Sequence, residues 1–409
     1  MKLATAPVNW NSPDVPEYRA YTPYPQLLEE MAAAGYSATE WSSIMPKEPA
    51  VLAEDLWARG LQMLGGFVGL ELRNPDSVGV AFLGLGRMGE THLRNLTAIS
   101  GVKVVAVADP ARERAERGRA MTGAEVALTD PEKAIEHPSV DVVIIVTPTN
   151  THARLIEVAA NAGKAVFSEK PIALDLTETE RIVNVVRERK VPVQLGFMRR
   201  YDPGYAKAKA RIEAGELGKL ETFRALSRDT YPPSLEFLRG SGGLFLDMSV
   251  HDFDLARFLV GEVDEVCAWG GVLIDERFAQ ANDADTAFTL LRFKNGVLGV
   301  VETSRHSNWG YDIRTEVAGS VGKVVVEAPQ KTPLLFAKDF GSSYDHFENF
   351  PDRFEAGYRL QLEAFFAALR EGRTPTPGPE DALETLRLAV AATKSWREKR
   401  PVKLSEIGT

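Results

Sequence analysis

Short apolar runs alternate with amphipathic stretches along the middle of the chain. Helix-like periodicity fills the intervals between the apolar runs. The runs predict strands over 79–83, 102–108, 141–146, 165–168 and 192–197. Because strands that are apolar on both sides need cover on both faces, the pattern predicts an α/β domain with a doubly wound parallel sheet over residues 78–196.

The pattern changes after residue 196, where strand-like runs follow one another directly. Turns such as Lys294-Asn295-Gly296 separate neighbouring runs, and strands joined by tight turns form antiparallel pairs. Two helices, predicted over 354–370 and 380–399, close the chain. We therefore expect residues 197–409 to form an α+β domain with a mostly antiparallel, open sheet.

Residues 1–77 differ from the rest in composition. They carry a net charge of −5, against −4 for all later residues, and they hold three of the six tryptophans. The predicted elements are strands over 3–8, 38–41 and 61–72, helices over 23–35 and 49–59, and a polar boundary turn over 73–77. The shift in composition predicts a separate β/α module.

Composition also limits the class of protein. The 409 residues carry a net charge of −9 with no basic block, which argues against nucleic acid or an anionic membrane as a partner. No apolar run approaches the ~18 residues of a membrane span. Cys267 is the only cysteine and the N-terminus lacks a signal-peptide pattern, so we expect a cytoplasmic protein.

Gly84, Gly86 and Gly89 form a G-x-G-x-x-G motif between a predicted buried strand and a predicted helix. In that setting the first glycine permits a tight turn, the second lets the backbone approach a pyrophosphate, and the third lets the helix pack on the strand. Phosphates would meet the helix N-terminus, where Arg87 and Met88 lie. The motif predicts a Rossmann-type dinucleotide-binding domain.

Asp109 ends the next strand, 20 residues after Gly89. A carboxylate at this place binds both ribose hydroxyls of NAD and repels the 2′-phosphate of NADP. NAD is therefore the expected cofactor. The alternative is a plain glycine turn followed by a surface aspartate.

Three further polar residues follow the ends of predicted parallel strands: Thr147, Asn150 and Lys170. Ligands bind in the crevice beyond the carboxyl ends of such strands, so all three are candidate ligand contacts. As alternatives, Thr147 and Asn150 would serve a turn and a helix cap, and Lys170 would be a solvated loop residue.

The stretch over 245–254 holds the candidate general base. If it is helical, Asp247, His251 and Asp254 share one face. An aspartate one turn from a histidine can orient the imidazole, and such a pair suits the removal of a hydroxyl proton. The alternative is a capping aspartate with a structural histidine. The six histidines are scattered and show no H-x-H or H-E-x-x-H spacing, so no metal site is expected.

The glycine motif, the sequence Glu-Lys-Pro at 169–171 and the Asp247/His251 pair together resemble the Gfo/Idh/MocA family of NAD(P)-dependent oxidoreductases. The resemblance runs over about residues 78–404. It implies a catalytic trio in which His251 takes the hydroxyl proton, Asp247 orients it, and Lys170 holds the substrate oxygen. It also implies that Glu169 and Lys170 contribute to the cofactor site.

Within that family, the stretches 196–202, 227–229, 242–259 and 310–312 resemble the inositol 2-dehydrogenases. The likeness implies that Arg199, Asp229 and Tyr311 line the polyol site together with the catalytic trio. Trp309 departs from the tyrosine that these enzymes often have, which puts the choice of substrate in doubt. The family's open sheet usually faces another subunit, which implies a homotetramer or homodimer.

The segments 6–10, 31–36 and 60–66 resemble the start of a sugar-isomerase-like (β/α) barrel, with inosose dehydratase as the nearest likeness. The likeness covers about three of the eight β/α units, so residues 1–77 are expected to be a truncated barrel fragment. The family's metal ligands belong to later strands, and no metal and no barrel activity are carried over.

The leading hypothesis is an NAD-dependent enzyme that oxidises a secondary hydroxyl of a cyclic polyol, with myo-inositol as the first candidate. Two alternatives stay open. One is a sugar or aminosugar dehydrogenase of the same fold. The other is a non-catalytic NAD-binding regulatory protein, against which the intact catalytic trio argues.

Overall fold

The computed structural model describes residues 4–5, 22–41, 45, 49–66 and 77–408, and the chain divides into two compact units, Met1–Asp76 and Ser77–Thr409. Most of the predicted strand over 3–8, the segment 6–10 and residues 73–76 of the predicted boundary turn lie outside the described residues. None of the helices within these ranges combines the length and apolar character that crossing a membrane requires.

The first unit contains a parallel sheet with two helices, as the alternating pattern predicts. Its core is formed by apolar residues of both helices, including Leu27, Met31 and Leu56. The sheet order is β1-β2-β3. The elements are β1 (Ala4–Thr5), α1 (Tyr24–Ala33), β2 (Ala38–Trp41), α2 (Pro49–Ala58) and β3 (Gln62–Gly66). The likeness to a truncated barrel stays a prediction.

The second unit begins with a six-stranded parallel sheet of order β6-β5-β4-β7-β8-β9, flanked by helices. Its strands are β4 (Val78–Leu83), β5 (Val102–Ala108), β6 (Val126–Leu128), β7 (Val142–Ile145), β8 (Ala165–Ser168) and β9 (Val193–Leu195). Its helices are α3 (Arg87–Thr97), α4 (Arg112–Thr122), α5 (Pro131–Ile135), α6 (His152–Asn161) and α7 (Leu176–Arg189). The strand order reverses beside β4, which is where dinucleotides bind in such sheets.

The chain continues into a seven-stranded sheet of order β15-β14-β10-β13-β12-β11-β18. Its strands are β10 (Leu220–Arg228), β11 (Val263–Gly271), β12 (Thr286–Phe293), β13 (Leu298–Ser304), β14 (Asp312–Gly319), β15 (Gly322–Val326) and β18 (Val402–Lys403). Neighbouring strands are antiparallel except for the parallel pair of β10 and β13. The predicted mostly antiparallel sheet is confirmed, and the parallel pair makes both strands end at the same edge.

The helices of this region are α8 (Pro203–Glu213), α9 (Leu235–Gly240), α10 (Val250–Leu259), α11 (Arg277–Gln280), α12 (Phe350–Arg353), α13 (Glu355–Arg370) and α14 (Pro379–Glu398). A separate two-stranded ribbon is formed by β16 (Leu335–Lys338) and β17 (Gly341–Tyr344). α13 returns to the parallel sheet, where Phe365 packs on Phe167 with ring centroids 5.9 Å apart. This packing fixes the parallel sheet and the second sheet in one unit.

A chain that starts at Ser77 is expected to fold without the first unit, because residues 77–409 form a compact unit with their own cores. Circular dichroism should show the same unfolding midpoint as for that unit in the full chain, and NAD titration should give the same affinity. An aggregated product, or a folded one that does not bind NAD, would contradict this division.

Candidate active site

The glycine motif lies at the carboxyl end of β4, and its three glycines have different surroundings. Gly84 has φ +92°, and a Cβ there would lie 2.4 Å from the carbonyl oxygen of Val146. A Cβ at Gly89 would lie 2.0 Å from the carbonyl oxygen of Gly84. At Gly86 a Cβ would meet nothing within 4 Å. Packing therefore explains the first and third glycines, while the second faces open space that a ligand can enter.

Gly86 is also the N-cap of α3, and within residues 77–408 no side chain caps this helix. The first-turn N–H groups, which begin at Arg87, are therefore available to an anion. Arg87 lies with its guanidinium 5.1 Å from the centroid of the Phe350 ring, and Met88 packs against the core. An open approach and an uncapped helix N-terminus fit the pyrophosphate of a dinucleotide.

Asp109 lies beside this turn with 4% of its surface exposed. Its carboxylate accepts hydrogen bonds from the backbone N–H groups of Leu85 at 2.9 Å and Ala111 at 2.8 Å. It also accepts one from Nε of Arg114 at 2.9 Å. Asp109 therefore holds the glycine turn and presents acceptor oxygens at the position expected for the ribose of NAD.

The loop after β7 contains Thr147 and Asn150. The hydroxyl of Thr147 is 2.6 Å from that of Thr151, and Asn150 is exposed in a 3₁₀ turn over Thr149–Thr151. His152 connects this loop to the next one, since its ring nitrogens lie 2.8 Å and 2.7 Å from the carbonyl oxygens of Thr147 and Pro171. His152 therefore ties the loop that contains the two predicted residues to the loop after β8.

Glu169 and Lys170 follow β8 and face different groups. Oε1 of Glu169 lies 2.7 Å from Nε2 of His92, a fully buried histidine of α3. Nζ of Lys170 donates to the backbone carbonyl of Asp247 at 2.8 Å and lies 3.4 Å from its Oδ1. Glu169 thus links the loop after β8 to α3, while Lys170 reaches the segment before α10 that contains Asp247.

A chain of four charged residues crosses this crevice. Lys170 binds Asp247, and NH2 of Arg305 donates to Oδ2 of the same aspartate at 2.6 Å. NH1 of Arg305 donates to Oδ2 of Asp229 at 2.9 Å. Two cations therefore balance two carboxylates at the place where the two domains meet.

Asp247 and His251 do not form the hydrogen-bonded pair that a regular helix predicts. Residues Phe245–Ser249 form a π-helical turn, and the α-helix begins only at Val250, which breaks the i, i+4 alignment. Among the described residues, Nδ1 of His251 has no hydrogen-bond partner. The two cations attract the carboxylate of Asp247 instead, so the expectation that it orients His251 is corrected here.

Asp254, the third residue of the predicted face, lies outside the site. Its carboxylate accepts hydrogen bonds from Nε of Arg200 at 3.2 Å and 2.9 Å and from NH2 of Arg200 at 2.6 Å. The π-helical turn separates it in phase from Asp247, so it serves the packing of the domain.

The charges around the crevice set the protonation of its titratable groups. Burial alone would raise the pKa of Asp247, but the cations of Lys170 and Arg305 outweigh this effect and hold that pKa below its usual value. Loss of hydration, together with the charges of Lys170, Arg199 and Arg305, lowers the pKa of His251 well below 6.5. His251 is therefore a neutral imidazole at neutral pH, and Asp247 is ionised.

Arg199 and Tyr311 lie behind the charged crevice. Arg199 is 2% exposed, and its NH1 donates to Asp252 at 2.8 Å and to Ser227 at 3.1 Å. Tyr311 is 6% exposed and contacts the Arg199 guanidinium through its hydroxyl. Because both side chains are buried, they support the wall of the site in this geometry and present little surface to a substrate.

Trp309, which departs from the family pattern, is half-exposed. Its indole N–H donates to Oδ2 of Asp312 at 3.1 Å, and the Arg228 guanidinium lies 5.4 Å from its ring centroid. The indole N–H of Trp309 is therefore already hydrogen-bonded within the protein. What Trp309 can offer to a ligand is the face of its aromatic ring.

Sequence reasoning missed Arg305 and His92. Arg305 directly follows β13, and the signal that could have found it is the parallel pairing of β13 with β10, which ends next to Asp229. The pairing also places the backbone N–H of Asp229 3.0 Å from the carbonyl of Ser304. His92 lies three residues after the glycine motif, and its only signal is a histidine on the buried face of α3.

Comparison with known proteins agrees with this geometry. The family model described as oxidoreductase family, NAD-binding Rossmann fold matches residues 78–197. The model of the same family's C-terminal alpha/beta domain matches residues 209–404. The chain belongs to the Gfo/Idh/MocA oxidoreductase family, and the predictions of the fold and of NAD as the cofactor are confirmed.

Several of the proteins that the chain resembles are inositol dehydrogenases. The chain is 44% identical to a scyllo-inositol 2-dehydrogenase (NAD(+)) of Bacillus subtilis, over 79% of this chain and 95% of that protein. It is 41% identical to a myo-inositol 2-dehydrogenase of Thermotoga maritima, over 80% and 99%. A crystal structure of scyllo-inositol dehydrogenase from Lactobacillus casei with bound NAD(H) and scyllo-inositol matches with a TM-score of 0.75 at 30% identity, over 80% and 99%.

Substitution of Gly86 by alanine is expected to weaken NAD binding about tenfold or more without changing the stability of the apoprotein. The added methyl group meets no protein atom within 4 Å, but it occupies the space through which the pyrophosphate approaches the backbone. Isothermal titration calorimetry measures the affinity. Gly240→Ala, at a site equally free of neighbours, is the matched control, and equal affinities for both variants would refute the assignment.

Proposed function

We propose that this protein is an NAD-dependent dehydrogenase that oxidises a secondary hydroxyl of an inositol to the ketone, with myo-inositol as the first candidate substrate. The observation that carries the proposal is the neutral His251 near the ion pair of Lys170 and Asp247. These groups lie at the edge of a site that fits NAD. The inositol 2-dehydrogenases among its relatives support the same substrate class.

His251 is the proposed general base. A neutral imidazole accepts the hydroxyl proton of the substrate, and its lowered pKa keeps it in that form at neutral pH. Phe197 holds the ring edge-on, with centroids 6.4 Å apart and planes at 79°. The surrounding cations disfavour the imidazolium, so the accepted proton passes on readily to solvent.

Lys170 is the proposed ligand of the reacting oxygen. Its side chain is 13% exposed and its ammonium group is already paired with Asp247, so it favours the negative charge that develops on the oxygen as the proton leaves. NAD, when bound, would supply the acceptor for the hydride that leaves the carbinol carbon. Gly84, Gly86 and Asp109 would hold it, together with Arg87, Met88, Gly89, Thr147, Asn150, Glu169 and Lys170.

The charged crevice suits a ligand with many hydroxyl groups. The carboxylates of Asp229 and Asp247 keep 24% and 22% of their surface exposed while each is paired, so both can accept further hydrogen bonds. Arg199 and Tyr311 support this wall from behind. A ring that bears a hydroxyl on each carbon satisfies several such groups at once, which a simple alcohol does not.

We further propose that the chain comprises a barrel-like fragment over 1–77, a cofactor domain over 78–196 and a substrate domain over 197–409, and that it acts in the cytoplasm.

The solvent face of the second sheet supports a homodimer or homotetramer. Trp269 and Phe288 are cross-strand neighbours there, as are Leu290 and Val300. The first three of these are about half exposed, and such an apolar patch marks an interface.

Substitution of His251 by glutamine is expected to lower kcat by about 10²–10⁴-fold, because the base that takes the hydroxyl proton is lost. NAD affinity should stay unchanged. NADH absorbance with a panel of inositol isomers, sugars and aminosugars measures turnover. His137→Gln is the control, because His137 lies before the start of β7, at the amino ends of the parallel strands. No turnover of any inositol by the wild type would refute the substrate, and full activity of His251→Gln would refute the base.

Substitution of Leu290 by lysine is expected to convert the oligomer to monomers, because it buries a charge in the proposed interface. Light scattering coupled to size-exclusion chromatography measures the mass. Met121→Lys, an exposed apolar position on α4, should leave the mass unchanged. A monomeric wild type, or an unchanged mass for Leu290→Lys, would contradict the interface.

A further inference from the structure

Arg305 occupies a central and buried position that the proposed reaction does not by itself explain. It directly follows β13, its backbone N–H donates to the carbonyl of Asp285 at 2.8 Å, and only 5% of its surface is exposed. A buried arginine is costly unless its donors are paired. Its two terminal nitrogens are used for two carboxylates that come from different elements.

These two carboxylates have different roles. Asp229 follows β10 and lies at the proposed polyol wall, at 2.9 Å from NH1 of Arg305. Asp247 lies on the π-helical turn before α10, at 2.6 Å from NH2. The planar guanidinium therefore fixes the distance between a substrate-facing group and a catalytic one, which a single ammonium group cannot do.

The base faces positive charge from three directions. Lys170 approaches it from the loop after β8, Arg199 from the turn after β9, and Arg305 from the end of β13, and all three disfavour its protonated form. Arg199 is itself paired with Asp252. The carboxylate of Asp247 is bound to Lys170 and Arg305.

We propose that Arg305 is a positioning residue of this site: it holds Asp229 and Asp247 on its two terminal nitrogens and thereby leaves His251 a neutral base without a carboxylate partner. The inference rests on the proposed function for its kinetic meaning, but the juxtaposition itself is independent of the substrate. The protonation of Asp229 depends on Arg305 as well. Burial raises its pKa and Arg305 opposes this rise, so loss of Arg305 would leave Asp229 more readily protonated.

The direction of the expected pH effect follows from these charges. Removing the Arg305 cation leaves the carboxylate of Asp247 bound to Lys170 alone, so less of its negative charge is balanced. The same change takes one positive charge from the surroundings of His251, and both effects favour the imidazolium. The pKa of His251 then rises. Because the reaction needs the neutral ring, activity on the acid side is lost at a higher pH than in the wild type.

The test compares Arg305→Gln with Arg305→Lys. For Arg305→Gln, the acid limb of the kcat/KM profile should move up by about one pH unit. For Arg305→Lys, which keeps the charge and loses the two-pronged geometry, the acid limb should stay near that of the wild type while kcat falls. Arg353→Gln is the matched control, since it removes an equally buried arginine that pairs with Asp202 at 2.7 Å. It should lower stability without moving the limb.

A substrate-free measurement separates this inference from the proposed function. The ring carbon shifts of ¹³C-labelled histidines report the titration of His251, assigned with the His251→Gln variant. An upward shift in Arg305→Gln supports the inference even if no inositol is oxidised. An unmoved His251 titration in Arg305→Gln, an equal movement in Arg353→Gln, or a moved acid limb in Arg305→Lys would overturn it. If Arg305→Gln fails to fold, Arg305→Lys alone decides by its acid limb.

Discussion

The carboxylate of Asp247 binds both Lys170, which follows β8 of the parallel sheet, and Arg305, which follows β13 of the second sheet. Taking such groups out of water costs several kcal/mol per ion, and the cost is offset only when each ion is paired and hydrogen-bonded. With Asp229 as the fourth member, the cluster contains two charges of each sign. In the crevice between the two domains the charges of these four residues balance, and a change at any one of them changes the electrostatic surroundings of the other three.

Backbone topology makes this balance possible. β10 and β13 run in the same direction, with Arg228 opposite Ser304 in register, so the residues that follow them emerge side by side. Lys170 follows β8 in the other sheet, whose carboxyl edge faces the same crevice. Three strand ends and one helical turn therefore supply the four charges, and none of the four depends on a long loop for its position.

Much of this fold could be predicted from the chain itself. The strands over 102–108 and 165–168 match to the residue, because continuous apolar runs have sharp limits. β6 and α5 were not predicted, since three and five residues are too few to show a period. The open surroundings of Gly86 agree with the role that its motif assigns.

The remainder of the site depends on long-range structure. Arg305 and Asp229 are 76 positions apart, and only the parallel strand pairing brings them together. The predicted contact between Asp247 and His251 assumed an unbroken α-helix, and nothing in the local pattern announces the π-helical turn. Arg199 is charged, so its residue type alone suggests a place on the surface. Its ion pair with Asp252 allows it to be buried.

The return of α13 to the parallel sheet has a consequence for how the protein is made. Leu362, Phe365 and Phe366 belong to the same apolar core as Phe82 of β4, although almost 300 residues of chain separate them. A ribosome releases the glycine motif long before it releases the residues that cover its sheet. During synthesis the cofactor domain therefore keeps an uncovered apolar face until α13 has emerged.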